Sequence, residues 1–170
     1  MTTRTLTPAA QAAKMIRNEL KAAGIPAKVR SSNFSMGNSI TVTLTGDPMP
    51  ATVDAVNREL SKYRYGRFDS MTDCFEYTNR RTDIPQTKYL NIEVNYSDAI
   101  KQEAWDFLRN RWAGWEECPT DYAELTWRHE SDTGMNAQQE VRDILCGDWD
   151  ARMAAPGFWS SRKPRVRLAA

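Results

Sequence analysis

The feature that most constrains the fold is the alternation of side chains in residues 39–45. Ile40, Val42 and Leu44 alternate with serine and threonine, which is typical of a β-strand with one buried face and one solvated face. A shorter alternating stretch precedes it near 27–31, and the linker between the two is rich in residues that tolerate a positive φ. The sequence therefore predicts a β-hairpin with a polar outer side.

The rest of the chain supplies helices and further strands. Four stretches carry an apolar stripe of helical period, near 8–23, 50–62, 98–113 and 136–146. Four alternate as strands, near 27–31, 39–45, 74–77 and 89–96. We therefore expect an α+β fold in which one small antiparallel sheet is covered by helices, with the helix near 98–113 lying over the sheet. Residues 115–135 fit neither period.

The length and the cysteines bound the organisation of the chain. Its 170 residues suit one domain, since a chain of that size buries roughly 70% of its unfolded surface. We predict a single α+β domain over 1–159 and a basic, flexible tail over 160–170. Cys74, Cys118 and Cys146 are widely spaced and odd in number, which fits reduced thiols. With no signal-like segment and no long apolar run, we expect a cytoplasmic protein without a membrane partner.

The charge is unevenly distributed along the chain. The formal net charge is +1, yet residues 116–150 hold ten acidic and two basic residues, and residues 151–170 hold five basic and no acidic ones. An acidic segment between basic ones can attract a basic partner, or it can fold back onto its own basic neighbours. The sequence leaves both interpretations open.

Residue patterns that carry catalysis are poorly represented. His129 is the only histidine, and the cysteines lack the close spacing of a zinc site, so we predict neither a metal nor a cofactor. Ser35 lies in a Ser-x-Gly sequence that lacks the first glycine of a nucleophile elbow, and we interpret it as a turn residue. Pairing of Cys118 with His129 is the remaining thiol pattern. The sequence favours a protein that is not an enzyme, with a small thiol or carboxylate hydrolase as a distant alternative.

The residues best suited to binding lie between positions 63 and 73. The run from Tyr63 to Phe68 interleaves aromatic rings with arginines, a combination that stacks bases and neutralises phosphates. Alternatively, Tyr63 and Phe68 pack into the core and leave the arginines in water. Asp69 and Asp73 can bind a cation or transfer protons, or they can accept backbone hydrogen bonds in a tight turn. The candidate binding residues are Tyr63, Arg64, Tyr65, Arg67, Asp69 and Asp73.

Several short stretches carry a family resemblance. They are Ala13-Lys14, Ile16-Arg17, Glu19-Leu20, Val29-Arg30-Ser31, Phe34-Ser35 with Gly37, Ser39-Ile40 with Val42, and Gly66 with Phe68-Asp69, Met71, Asp73 and Glu76-Tyr77. Together, over about residues 12–77, they resemble one of the large polyvalent protein associated domains of phages and conjugative elements.

The resemblance implies an accessory protein of a mobile element that helps incoming DNA survive host defences, with no assigned catalytic residues. In concrete form, we expect stoichiometric binding to a host defence protein or nucleoprotein complex, of the anti-CRISPR or antirestriction type. The alternative is a DNA- or RNA-binding accessory protein. The sequence does not predict an oligomeric state.

Overall fold

The computed structural model describes residues 6–147, 157–160 and 162. Its helices are α1 (Pro8–Ala22), α2 (Pro50–Leu60), α3 (Asp98–Arg111) and α4 (Ala137–Cys146). Its strands are β1 (Ala27–Phe34), β2 (Gly37–Leu44), β3 (Arg67–Asp69), β4 (Cys74–Glu76) and β5 (Tyr89–Val94). The predicted α+β fold is confirmed, and each predicted helix is present with its ends within a turn of the expected residues.

The strands form two sheets where one was expected. The larger sheet has the order β1-β2-β5, with β1 antiparallel and β5 parallel to β2, and the smaller sheet pairs β3 with β4. The prediction of a single antiparallel sheet is therefore wrong for the strands near 74–77 and 89–96. Side-chain alternation identifies the buried face of a strand but not its direction. The long connection between β2 and β5 is what permits the parallel crossover.

The β1–β2 hairpin closes through a turn of two residues, Ser35 and Met36, because Phe34 pairs with Gly37. Gly37 has φ +147, a backbone conformation that strongly favours glycine, and a Cβ atom there would also displace the side chain of Lys88, whose Cδ would lie 2.8 Å away. The strands therefore extend through most of the segment that the sequence assigned to a linker.

The described chain forms two compact units. The first contains residues 6–46 and 51–95, and its core joins α1 and α2 to one face of the β1-β2-β5 sheet. The principal buried side chains, all at most 5% exposed, are Ile16, Leu20, Ile40, Val42, Leu44, Val56 and Leu60. Burial of an aliphatic side chain of this size stabilises the fold by about 1.5–3 kcal/mol. The alternation of residues 39–45 is confirmed, since the three aliphatic residues are the buried ones.

The second unit contains residues 47–50, 96–147, 157–160 and 162. Helices α3 and α4 share a core in which the rings of Trp105 and Trp115 meet edge to face at 5.5 Å. The indole N–H of Trp105 donates to the carbonyl of Pro119 at 2.9 Å. The expectation that the helix near 98–113 covers the sheet is wrong, because its buried residues join the core of α4. None of the helices in the described ranges is long and apolar enough to cross a bilayer.

The predicted single domain over 1–159 stays a prediction, because compactness does not test whether the two units fold independently. The tail predicted over 160–170 lies outside the described residues, apart from Ser160 and Arg162. Arg162 pairs with Glu103, and its guanidinium lies 4.4 Å from the ring centroid of Phe158. At least one basic residue of that segment therefore has packed neighbours.

Candidate binding surface

The segment that follows α2 passes through the core of the first unit before it reaches the protein surface. A 3-10 helix (Ser61–Tyr63) follows α2 and ends in Tyr63, which is 0% exposed. The hydroxyl of Tyr63 donates to Oε1 of Glu19 at 2.7 Å, and burial together with this carboxylate raises the pKa of Tyr63 far above its ordinary value. Phe68, in contrast, is 54% exposed, so its predicted place in the core is wrong. Tyr63 therefore anchors this segment in the core, whereas the side chain of Phe68 is accessible to a binding partner.

Backbone hydrogen bonds to Thr87 fix the next residues of this segment. The amide of Thr87 donates to the carbonyl of Tyr63 at 2.8 Å, and the amide of Tyr65 donates to the carbonyl of Thr87 at 3.2 Å. Arg64 lies between them as an isolated parallel bridge to Thr87. The segment thus runs beside the start of β5, and Tyr65 emerges at the surface with a fixed backbone.

The side chain of Gln86, next to Thr87, forms hydrogen bonds to three further backbone groups. Its side-chain amide donates to the carbonyls of Lys62 and Asn79 at 2.7 and 2.8 Å, and its oxygen accepts from the amide of Arg81 at 2.8 Å. The residue is only 9% exposed, and a polar side chain buried to this extent is normally hydrogen-bonded within the protein. One side chain therefore ties the segment before Tyr65 to the loop after β4.

Five aromatic rings form a continuous surface on this frame. Tyr65 stacks on Tyr77 with centroids 5.7 Å apart and planes at 9°, and it meets Phe75 edge-on at 5.8 Å. Phe75 meets Tyr89 at 5.8 Å, and Tyr89 stacks on Phe34 at 6.1 Å. These five residues are called the aromatic ladder. Each such pair is worth about 0.5–1.5 kcal/mol beyond area burial, so the ladder is preorganised.

Gly66 allows the ladder to close. A Cβ atom at this residue would lie 2.0 Å from the carbonyl oxygen of Glu76 and 2.5 Å from the ring of Phe75. No side chain fits between the segment of Tyr65 and strand β4. The close approach of the two backbones is what brings the ring of Tyr65 onto those of Phe75 and Tyr77.

The ends of the ladder and the adjoining hairpin are exposed. Phe34 and Tyr77 are 45% and 52% exposed. Phe68 lies directly opposite Phe75 in the β3–β4 pair, and Met71 at the tip of that hairpin is 92% exposed. Large exposed apolar side chains grouped in this way mark an interaction surface more often than isolated ones do.

Two cations lie against the rings. The guanidinium carbon of Arg80 is 4.3 Å from the centroid of Tyr77. Nζ of Lys88 is 5.0 Å from the centroid of Phe75 and 5.3 Å from that of Tyr89. Contacts of this kind contribute about 0.5–1 kcal/mol each at exposed sites. The surface is therefore both aromatic and positively charged.

Asp69 and Asp73 shape the tip of the β3–β4 hairpin. The carboxylate of Asp69 accepts hydrogen bonds from the amide of Met71 and the hydroxyl of Thr72, both at 2.9 Å. These bonds lower the pKa of Asp69 below its ordinary value. Asp73 has φ +53, a conformation that aspartate adopts more readily than most residues. The tight turn that the sequence suggested as one interpretation is present.

The structure spreads the six candidate residues over several roles. Only Tyr65 belongs to the aromatic ladder, while Arg67 pairs with Glu76 across the hairpin at 3.0 Å. The other ladder members, Phe34, Phe75, Tyr77 and Tyr89, are not among the binding residues predicted from the sequence. The spacing of the aromatic residues in Phe75-Glu76-Tyr77, which places both rings on one side of a strand, is the signal that points to two of them.

The residues considered for catalysis each have a local structural role. Burial raises the pKa of the Cys118 thiol, which works against a reactive thiolate. Nδ1 of His129 accepts from the amide of Thr126 at 2.8 Å and so closes its own turn, and Ser35 lies in the hairpin turn. Within residues 6–147, 157–160 and 162, no group of three histidine, cysteine or acidic side chains could hold a metal ion.

Comparison with models of known protein families gives a match over more than half of the chain. The model of the family described as large polyvalent protein associated domain 29 matches residues 7–104. This span runs from the start of α1 into α3 and contains the whole aromatic ladder. No curated protein and no solved structure is significantly similar to the chain.

Proposed function

We propose a function from the premise that the chain belongs to the large polyvalent protein associated domain 29 family, whose model matches more than half of its 170 residues. The protein is thus associated with phages or other mobile elements. Its proposed role is counter-defence in the host cytoplasm by stoichiometric, non-catalytic binding to a host defence complex of the CRISPR or restriction type.

The aromatic ladder is the observation that supports a binding role. Aromatic residues, methionine and arginine are the residue types enriched in protein interfaces, and buried aromatic anchors commonly carry most of the binding energy. The rings are already packed on one another, so a partner would not bear the entropy of ordering them. Phe68 and Met71 extend the same apolar character along the β3–β4 hairpin.

The contacts of the ladder favour a protein as its partner. Tyr65 and Tyr77 stack on each other, and Arg80 lies 4.3 Å from the centroid of Tyr77, so a nucleobase would have to compete for that ring with a cation. A protein surface can instead pack apolar groups around the exposed ring edges and place carboxylates beside Arg80 and Lys88. The expected partner surface is an apolar groove with acidic margins.

The proposal is tested by protection of phage in a defended host. Expression of the chain should raise the efficiency of plating at least tenfold in strains with an active CRISPR or restriction system, and should have no effect in a matched strain without one. Phe68→Ser combined with Met71→Ser should abolish protection, because both side chains are exposed and would contact the proposed partner. Trp127→Ser is the matched control, since Trp127 is 70% exposed in the second unit.

Titration of the purified defence complex then separates binding from catalysis. Inhibition should saturate near one chain per complex. Progressive inactivation by substoichiometric amounts of the protein would contradict the stoichiometric mechanism. Failure to protect against a panel that includes both CRISPR and restriction systems would refute the counter-defence role.

A further inference from the structure

The side of the β1-β2-β5 sheet that faces away from α1 and α2 is exposed along β1 in the described part of the chain. Alternation along β1 places Lys28, Arg30, Ser32 and Phe34 on this side, and all four are exposed. The register aligns Arg30 with Thr41 of β2, and Thr41 with Asn91 of β5. We call the alternate β1 residues from Lys28 to Phe34 and their aligned neighbours on β2 and β5 the open face.

The open face carries unneutralised positive charge. Neither Lys28 nor Arg30 forms an ion pair with any residue in the described part of the chain. Glu93 is its acidic member, and it lies at the end of β5 away from Phe34, two strands across from Lys28. An anion approaching Arg30 from the side of Phe34 therefore meets cations and neutral polar groups.

The other end of the open face carries two aromatic rings. Phe34 and Tyr89 stack at 6.1 Å with an angle of 23° between their planes, and Phe34 remains 45% exposed. Unlike Tyr77, Phe34 has no cation within contact distance of its ring in the described structure. Its free surface is therefore available to a planar group.

We infer that the open face binds single-stranded RNA. A base would stack on Phe34 beside Tyr89, while Arg30 and Lys28, about 6.6 Å apart along the strand, would contact the phosphates that follow. Ser32 lies between Phe34 and Arg30 on β1, and Thr41 lies beside Arg30 on β2. Their hydroxyls offer donors and acceptors to ribose 2′-hydroxyls, the groups by which proteins distinguish RNA from DNA. A duplex would hide its bases from Phe34, so a single strand fits the surface better.

This inference goes beyond the counter-defence role, and the two sites share Phe34 and Tyr89 of the aromatic ladder. The side chains that separate them are Phe68 and Met71 for the protein contact, and Arg30 and Lys28 for the RNA contact. The Lys28/Arg30 variant is therefore expected to lose RNA binding and keep counter-defence, and the Phe68/Met71 variant the reverse.

Fluorescence anisotropy tests the inference with three labelled ligands. They are a mixed-sequence single-stranded RNA of about 12 nucleotides, single-stranded DNA of the same sequence, and the corresponding RNA duplex. The full chain should bind the single-stranded RNA at least about fivefold more tightly than either competitor. Phe34→Ala should weaken RNA binding roughly tenfold by removing a stacking ring. Lys28→Ala with Arg30→Ala should lower the slope of log affinity against log salt by about 1.4, or 0.7 per lost phosphate contact.

Lys21→Ala provides the matched control. Lys21 is an exposed cation in the last turn of α1, the helix packed on the covered side of the sheet, and its loss should leave RNA affinity unchanged. Equal loss in the control and in the Lys28/Arg30 variant would show non-specific attraction and overturn the site. Equal affinity for DNA or duplex, or no binding at about 100 µM protein, would overturn the inference as well.

Discussion

Replacement of Gln86 should test how the aromatic ladder is held together. Gln86→Leu keeps a side chain of similar size but removes two donors and one acceptor, leaving the carbonyls of Lys62 and Asn79 and the amide of Arg81 without partners. The two segments that Gln86 joins carry Tyr65 and Tyr77. We therefore expect one substitution to loosen both the fold of the first unit and its aromatic ladder.

The magnitude follows from the three hydrogen bonds. Each contributes about 1 kcal/mol net, and a buried group left unsatisfied costs about 1–3 kcal/mol. The loop around Arg81 is largely exposed, so water can replace part of the loss. We expect the free energy of unfolding to fall by about 2–4 kcal/mol.

The positions of the tryptophans allow the two units to be followed by different spectroscopic signals. All six tryptophans occur at position 105 or later, whereas the ladder contains three tyrosines and two phenylalanines. In the Gln86→Leu protein, the near-UV circular dichroism of the tyrosines should disappear at a lower urea concentration than in the wild type. The amide hydrogen of Thr87 should likewise lose its protection from exchange at a lower urea concentration. Tryptophan fluorescence reports on the second unit, and it should shift together with the tyrosine signal if the two units unfold as the single domain that the sequence predicts.

Two variants sharpen the result. Gln11→Leu removes one exposed side-chain bond, at 3.0 Å to the carbonyl of Leu6, and should cost under about 0.5 kcal/mol. Gln86→Glu keeps the acceptor for Arg81 but turns a carboxylate towards two carbonyls, so it should be at least as destabilising as Gln86→Leu at neutral pH. A Gln86→Leu protein as stable as the Gln11→Leu control would refute the role assigned to this side chain.

Other changes have equally defined outcomes. Gly66→Ala should destabilise the first unit by about 1–3 kcal/mol, because its Cβ would meet the carbonyl of Glu76 at 2.0 Å; an unchanged tyrosine dichroism spectrum would argue against this close approach. Since hydrogen bonds lower the pKa of Asp69, the stability that they give the hairpin should hold above the ordinary carboxyl pKa of about 3.9 and be lost as the pH falls through the lower folded pKa. The Met71 amide shift in an NMR titration measures this, and Asp69→Asn should abolish the pH dependence. A chain that ends after Arg162 should keep the melting temperature of the full chain, and a drop of more than about 4 °C would show that later residues stabilise the fold.

Local pattern identified the four helices and four of the five strands of the described chain, but it missed β3 (Arg67–Asp69) and did not predict how the strands assemble. The alternation around Val42 and Ile92 identified two strands and their buried faces, because period two is a property of a single strand. The same alternation is compatible with either direction of pairing, and so the parallel alignment of β5 with β2 could not be predicted from it. The direction is set by the path of the chain between the strands.

The candidate binding surface was predictable only in part for a related reason. Tyr65 stands out locally because it is flanked by arginines, but its ring partners Phe75 and Tyr77 come from another segment, and Phe34 and Tyr89 belong to two more. A run of neighbouring residues cannot indicate contacts made at such sequence distances. The Tyr65 segment was thus identified as a binding candidate from sequence, while its aromatic neighbours required the fold.

The position of β2 between β1 and β5 also imposes an order on synthesis. The hairpin of β1 and β2 can form within microseconds of its emergence, whereas β5 follows only when the ribosome has made the stretch from Leu44 to Val94, roughly 3–10 s later at about 5–20 residues per second. During that interval the central strand exposes an unpaired edge, a template for pairing with other nascent chains. A fragment that ends before Tyr89 would keep that edge permanently and should aggregate, while the complete sheet closes it.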